Sequence, residues 1–329
     1  MKITQKSFLL SLMGAVAFGV ASMAPVSAAE KWPEKPITYV VPFAPGGATD
    51  ILGRTYSQTI GEALGVAVVV ENKPGTGGSL GSAYASRAKP DGYTLVGGTI
   101  SSHAINTSIY PSIGYDPVTS FTPIILTGTL PNVLVVRADS AIKSVDDLIA
   151  KARANKGGVS FGSSGVGSSQ HLAGELFANM IDSEMLHVPY KGSSPSLQAL
   201  VAGDIDLLFD NITSAVPLIE AGKLRALAVT SSTPAEALPG IKPLKELGLK
   251  DYEVVSWQAV FAPAGTPKPI VDKLYKVMHA SLQTPAVQER FKSLGLTVSG
   301  AGPEELGAFQ KAEVAKWAEV IRKANIKID

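Results

Sequence analysis

The sequence predicts an α/β protein of two domains joined by two crossing segments. Three observations carry this expectation. Short β-branched runs alternate with helical segments from Ile37 onward, the alternation breaks off and restarts near residue 130, and strand runs such as Val66-Ala-Val-Val-Val70 are apolar at consecutive positions. Strands buried on both faces read that way, because helices cover both sides of a parallel sheet.

In the first stretch, strands are expected over 37–43, 66–71 and 93–96, with helices over 50–64 and 79–88. Pro90-Asp91-Gly92 makes the turn between them, since proline presets φ and glycine accepts a positive one. The second stretch offers strands over 133–136, 159–161, 186–190, 205–209 and 224–229. Helices over 144–154, 169–181, 194–202 and 214–221 separate them; Ser144 opens the first, and Asp146 and Asp147 sit where the helix dipole favours acids. A Pro-rich connector over 239–243 leads to a strand over 252–261 and helices over 267–282, 286–294 and 303–325. The last helix carries Leu306, Phe309, Trp317, Val320 and Ile321 at helical spacing. It has no strands of its own to cover and is expected to pack back on the first domain. The domains read as 30–130, 131–251 and a return to the first over 252–329, with crossings near 121–137 and 250–263.

Residues 1–29 read as a secretory signal peptide. Lys2 and Lys6 form a positive start, an apolar run extends from Phe8 to Ala21, and no acid precedes Glu30. That run falls short of the ~20 residues a spanning helix needs. Small residues place cleavage near Ala28 and Ala29, and the expected compartment is the periplasm. Zero Cys excludes a disulfide framework, thiolate metal sites and a lipid-modified Cys. The chain has 29 basic and 28 acidic residues, and losing Lys2 and Lys6 turns its formal +1 into −1. Neither balance nor distribution favours nucleic acid or a membrane surface. The mature chain, about 300 residues, is long enough to fold on its own core.

Glycine concentrates where strands run into helices. In Pro42-Phe-Ala-Pro-Gly-Gly-Ala-Thr-Asp50, Gly46 and Gly47 permit a tight turn and close approach of a ligand to free helix N–H groups, which suits an anion. The same loop would equally serve as an ordinary turn, with Asp50 complementing the dipole. A second loop, over 71–81, fails the dinucleotide fingerprint because its third glycine comes one residue late. A third, over 162–171, packs hydroxyls and N–H groups but is no nucleophile elbow, since Val166 stands where the final glycine belongs. His103, His171, His187 and His279 are scattered with no i,i+4 pair. They give no metal site and no local catalytic triad, and each is expected in a cap, a loop or at the surface, His171 being the nearest to a pocket. No catalytic residue and no cofactor is assigned.

Together the loops resemble the extracytoplasmic solute receptors of the tripartite tricarboxylate transporter type, often called Bug receptors. The matching pieces, in family order, are Trp32-Pro-Glu-Lys-Pro-Ile37, Val41-Pro-Phe-Ala-Pro-Gly-Gly-Ala-Thr-Asp50 with Arg54, Val70-Glu-Asn-Lys-Pro-Gly-Thr-Gly-Gly78, Pro90-Asp-Gly-Tyr-Thr94, Gly165-Val-Gly-Ser-Ser-Gln-His-Leu-Ala173, Val188-Pro-Tyr-Lys-Gly192 and Phe261-Ala-Pro-Ala-Gly-Thr-Pro267. The resemblance implies a type II periplasmic-binding fold, two lobes closing on a small carboxylated ligand, and a monomer that delivers it to transmembrane permease subunits. It implies that Phe43 walls the pocket, and that Gly46, Gly47, Ala48, Thr49 and Asp50 form one jaw. Ser164, Gly167 and Ser168 form the other, with Thr99, Ser101 and Ser102 at the rim. Tyr190, Lys191 and Asp210 stand at strand ends expected to face the cleft, although a lysine after a strand is usually solvated. Arg54 is expected to be structural or on the surface that meets a membrane partner. A receptor presenting ligand to a periplasmic sensor domain, and a secreted hydrolase, are the competing functions.

Overall fold

The computed structural model describes residues 32–323; the expected signal peptide and the end of the last helix lie outside them. Three parallel strands, β1 (Ile37–Val41), β2 (Val68–Asn72) and β3 (Thr94–Thr99), are linked by α1 (Ala48–Leu64) and α2 (Ser79–Ser86). A wide helical turn, Ser101–Ile105, continues into the short α3 (Asn106–Ile109). The chain then runs through the 17-residue β4 (Phe121–Arg137). Beyond it come α4 (Val145–Ala154), β5 (Ser160–Ser163), α5 (Ser169–Met180), β6 (Leu186–Pro189), α6 (Ser193–Ala202), β7 (Leu207–Asn211), α7 (Ile212–Glu220) and β8 (Leu224–Val229). The return is β9 (Val255–Pro263), α8 (Lys268–Leu282), α9 (Pro285–Ser293), β10 (Thr297–Ala301) and α10 (Pro303–Lys323).

Strand order is β2-β1-β3-β9-β4-β7-β5-β6, with β10 and β8 also on β4. β4 therefore belongs to two sheets. Its first part pairs antiparallel with β9 and β10; from Asn132 on it pairs antiparallel with β7 and β8. The handover is tied by Thr230: the Asn132 N–H donates to its hydroxyl at 2.8 Å, and the hydroxyl lies 2.6 Å from the Val254 carbonyl that it can donate to. Val133–Val136, Leu207 and Phe209 are fully buried there, whereas the two-sided burial expected of the Val66–Val70 run is corrected: β2 ends the strand order and Val69 is 50 % exposed.

The sequence missed β10. Its pattern, Thr297-Val-Ser-Gly-Ala301, is short and half polar, and it forms because β4 offers an open edge. α10 consequently closes over β4 and the Ser101–Ile105 turn. The indoles of Trp257 and Trp317 both donate to Glu313 Oε2 at 3.1 Å, satisfying a carboxylate that is only 8 % exposed. Gln310 Nε2 donates to the carbonyls of His103 and Pro117, so the last helix braces the turn that carries Ser101.

Candidate functional site

The loops at the carboxyl ends of β1, β3, β5 and β7, the segment after β6 and the start of β9 converge on one cavity. Its walls are Phe43, Gly47, Ala48, Thr49, Thr99 and Ser101 from one side, Ser164, Ser169, Gln170, Ser193 and Asn211 from the other, and Ser256 and Gln258 of β9. No Lys, Arg, His, Asp or Glu is among these residues. Its charge preference comes from backbone instead: α1, α5, α6 and α7 begin at or beside Gly47, Ser169, Ser193 and Asn211, so four helix N-termini meet there. Unpaired N–H groups and aligned dipoles make such a convergence an anion site.

As the walls stand, the cavity measures about 20 Å³, where one buried water needs ~10–15 Å³. A ligand of several carbons fits only if the two sides part. They touch around the cavity: Ala44 N donates to Lys191 O at 3.2 Å, Ser169 N to Ser101 Oγ at 3.2 Å and Tyr110 OH to Val166 O at 2.8 Å.

Of the residues expected in the site, Phe43, Gly47, Ala48, Thr49, Thr99, Ser101 and Ser164 line this cavity. The others stand behind or beside it. Gly46 is exposed and takes φ +86°, while Gly47 has φ −85°. The left-handed residue of the first loop is thus Gly46, while Gly47 keeps an ordinary negative φ. A Cβ at Gly47 would stand 3.6 Å from Ser193 Cβ, an ordinary contact, so only side chains larger than Ala crowd the opposite wall. Ser102 turns inward to Thr99 and His103, and Ser168 caps α5 by accepting from His171 N. Gly167 N–H donates to His171 Nδ1 at 3.3 Å. Tyr190 is half-buried and Lys191 exposed.

Asp50 is buried but serves the loop's scaffold. It accepts from Gly46 N at 3.0 Å, Arg54 Nε at 2.9 Å and Asn72 Nδ2 at 2.9 Å, and Asn72 also donates to Phe43 O. Burial alone would raise its pKa; the hydrogen bonds from Arg54, Gly46 and Asn72 outweigh it and hold the carboxyl below the usual range. Arg54 is therefore structural, one of the two roles open to it in the sequence. Asp50→Ala removes the acceptor of three donors. We expect a loss of about 1–3 kcal/mol in stability and affinity at least about fivefold weaker, read by thermal melts and calorimetry; unchanged affinity would mean that the loop holds its shape unaided.

Asp210 lies one layer below the wall, fully buried. Its Oδ1 accepts from Ser193 Oγ at 2.7 Å, Gln170 Nε2 at 3.0 Å and Asn211 N at 2.9 Å, and Oδ2 lies 3.1 Å from Ser214 Oγ. It fixes three lining residues without lining the cavity itself. Burial pushes its carboxyl up, and these hydrogen bonds oppose but do not cancel that shift.

Sequence reasoning passed over Ser169, Gln170, Ser193, Asn211, Ser256 and Gln258. A signal existed for the last two: polar residues at alternate positions of an otherwise apolar strand point to one face. Two histidines also proved closer than their numbering suggests. His171 and His187 stack with ring centroids 4.1 Å apart, and His187 Nε2 lies 2.6 Å from Ser163 Oγ. His103, fully enclosed by Phe261, Phe121 and Tyr115, and His171 are buried rather than at the surface, and His187 is half-buried. Ser163 is fully buried and does not line the cavity, so this Ser–His pair presents no hydroxyl to it.

Two sheets that share a strand, with a donor-rich cavity between their loop ends, define a two-lobed protein of the periplasmic-binding type. The chain belongs to the tripartite tricarboxylate transporter family of receptors, whose model matches residues 52–326. It is similar to the solved periplasmic binding protein BugD, at 38% identity over 90% of this chain and 99% of that one, TM-score 0.87. It is equally similar to Rpa4515 of Rhodopseudomonas palustris, solved with adipate: 38% identity, 90% and 99% covered, TM-score 0.87. MatC of Rhodopseudomonas palustris, solved with bound malate, is 31% identical over 88% of this chain and 100% of that one, TM-score 0.85.

Proposed function

We infer that this protein is a periplasmic receptor that captures a small carboxylate and delivers it to the membrane subunits of a tripartite tricarboxylate-type transporter. The observation that carries the reading is the convergence of four helix N-termini on a cavity lined by hydroxyls and amides with no basic side chain. Neighbours of similar sequence and fold hold adipate and malate, which fits carboxylate recognition by backbone and hydroxyl donors. Export rests on the signal-like residues 1–29. The lobes are taken as 30–130 with 252–329, and 131–251; the ligand enters as they part and is held as a monomer closes over it, without a cofactor.

Absence of a carboxylate from the lining makes a second statement about ligand class. An ammonium group would meet N–H donors and no counter-ion, at a cost of about 1–3 kcal/mol for the unpaired group. Calorimetry with adipate, malate and aspartate tests both points. Adipate or malate should bind, and aspartate at least about tenfold more weakly than malate. Failure of all three acids would remove the carboxylate reading, and preferential binding of aspartate would relocate an acidic group into the site.

A further inference from the structure

α7 begins at the cavity and in its first turn contacts the turn between α9 and β10. Asn211, its N-cap, lines the cavity, and its side-chain amide donates to Asn132 Oδ1 at 2.6 Å, in the strand both sheets share. Two residues on, the fully buried Thr213 donates its hydroxyl to Leu294 O at 2.8 Å. Leu294 closes α9 just before β10, which pairs with the first part of β4, whereas α7 follows β7, which pairs with the second. The bond thus joins elements belonging to different halves of β4. Ile212 seats against the same turn at Gly295, whose φ is +73° and whose Cβ, if present, would stand 2.5 Å from Ile212 Cγ2. The close approach and the left-handed backbone both demand glycine there.

We propose that Thr213 is a positioning residue for ligand retention: with Ile212 it latches the cavity-lining start of α7 to the Leu294–Gly295 turn, so that holding Asn211 against the ligand and holding the two sides together are one event. The ligand-dependent part rests on the receptor reading above. The latch itself is a property of the two sides and is measurable without ligand. Separation of the sides must break the Thr213 bond, and a ligand that keeps Asn211 in place keeps that bond formed. Its loss therefore appears in the lifetime of the closed state rather than in the rate of encounter.

Thr213→Val keeps the shape and removes the hydroxyl; Thr213→Ser keeps the hydroxyl. The chain has no cysteine, so spin labels on cysteines introduced at exposed Lys89 and Lys156 report the distance between the two sides. In Thr213→Val the population of the longer separation should rise about 3- to 10-fold relative to wild type, the range one buried hydrogen bond commands. Stopped-flow release of adipate or malate should accelerate by the same factor with the association rate unchanged, and Thr213→Ser should restore both. A Thr213→Val protein that melts lower yet keeps the wild-type distance distribution and release rate has lost a merely local bond, and the proposal fails. If wild type binds neither adipate nor malate, the receptor reading is what suffers, and the ligand-free distance distributions alone decide the latch. Gly295→Ala gives an independent check: wedging Ile212 away should reproduce the shifted distribution, and a wild-type distribution there overturns the proposal.

Discussion

Asp210→Ala is expected to abolish ligand binding and to cost about 3 kcal/mol or more of stability. The substitution leaves the Ser193 hydroxyl and the Asn211 N–H without their shared oxygen and the Gln170 amide with only Ser193 Oγ at 3.2 Å, and each buried donor left unpaired costs about 1–3 kcal/mol. Because those three residues are cavity wall, binding fails along with stability. Asp210→Asn should behave oppositely. Its amide oxygen keeps the three acceptor bonds, and its NH₂ can donate to Ser214 Oγ, which donates onward to Asn211 O at 3.0 Å. The sign of the pH effect follows from the shift. Burial raises the Asp210 pKa above 3.8, so the fold favours the protonated form; the stability this gives is complete below the ordinary value and is lost as pH rises through the folded one. An asparagine side chain mimics the protonated acid at every pH. Melts from pH 4 to 7 should show Asp210→Asn at or above wild type at neutral pH, with affinity for an anion retained or improved. If the Asp210→Asn variant binds as poorly as Asp210→Ala, the charge and not the hydrogen-bond geometry holds the cavity together.

The legible part of this protein was whatever local pattern dictates. The helix start at Ser144 was readable because a hydroxyl capping the third N–H leaves a signature in sequence. Within the crossing near 121–137 only 133–136 read as strand, because Pro123, Gly128 and Pro131-Asn132 interrupt the local pattern, yet β4 runs over all of Phe121–Arg137. Gly46 and Gly47 were readable as a turn, but which of them takes the left-handed conformation was not, since either can. Harder still was Asp50, whose partners are 4 and 22 residues away; a first-turn acid looks the same whether it serves the dipole, a ligand or an Asn. Alternation marked Ser256 and Gln258 as one face of a strand, but Asn211 enters the cavity only because β7 flanks β4, a register that no local pattern encodes. Motif order carried the family, and tertiary register decided which of its residues face the ligand.

The stacked histidines predict acid instability centred on the second jaw. Burial lowers His171 to about 4, and burial together with the neighbouring His171 charge lowers His187 to about 3, against an ordinary 6.5. Both are neutral in the fold at pH 7. A depressed His pKa gives stability that is present above 6.5 and is lost as pH falls toward the folded values; for His171 alone the shift is worth about 3 kcal/mol. His171 also sits in the first turn of α5, where the dipole opposes a cation, although Glu175 Oε1 at 3.7 Å softens its protonation. Charging either ring disturbs the loop beside it, because His171 Nδ1 accepts from Gly167 and His187 Nε2 bonds Ser163, the residue before cavity-lining Ser164. Stability should therefore decline from about pH 6.5 downward, as the unfolded chain takes up protons that the fold excludes, whereas ligand affinity should hold until the rings charge in the fold, near pH 4. His103, lowered to about 3 by burial, adds to the slope, so the informative quantity is a difference between variants. His187→Phe keeps a flat ring between Phe161 and His171 while removing one titrating group. Denaturant unfolding from pH 7 to 4 should show its stability falling with pH less steeply than wild type by up to one proton, after a constant loss from the orphaned Ser163 hydroxyl. Parallel slopes would mean that His187 titrates alike in the folded and unfolded chains, and that the acid sensitivity of the jaw lies elsewhere.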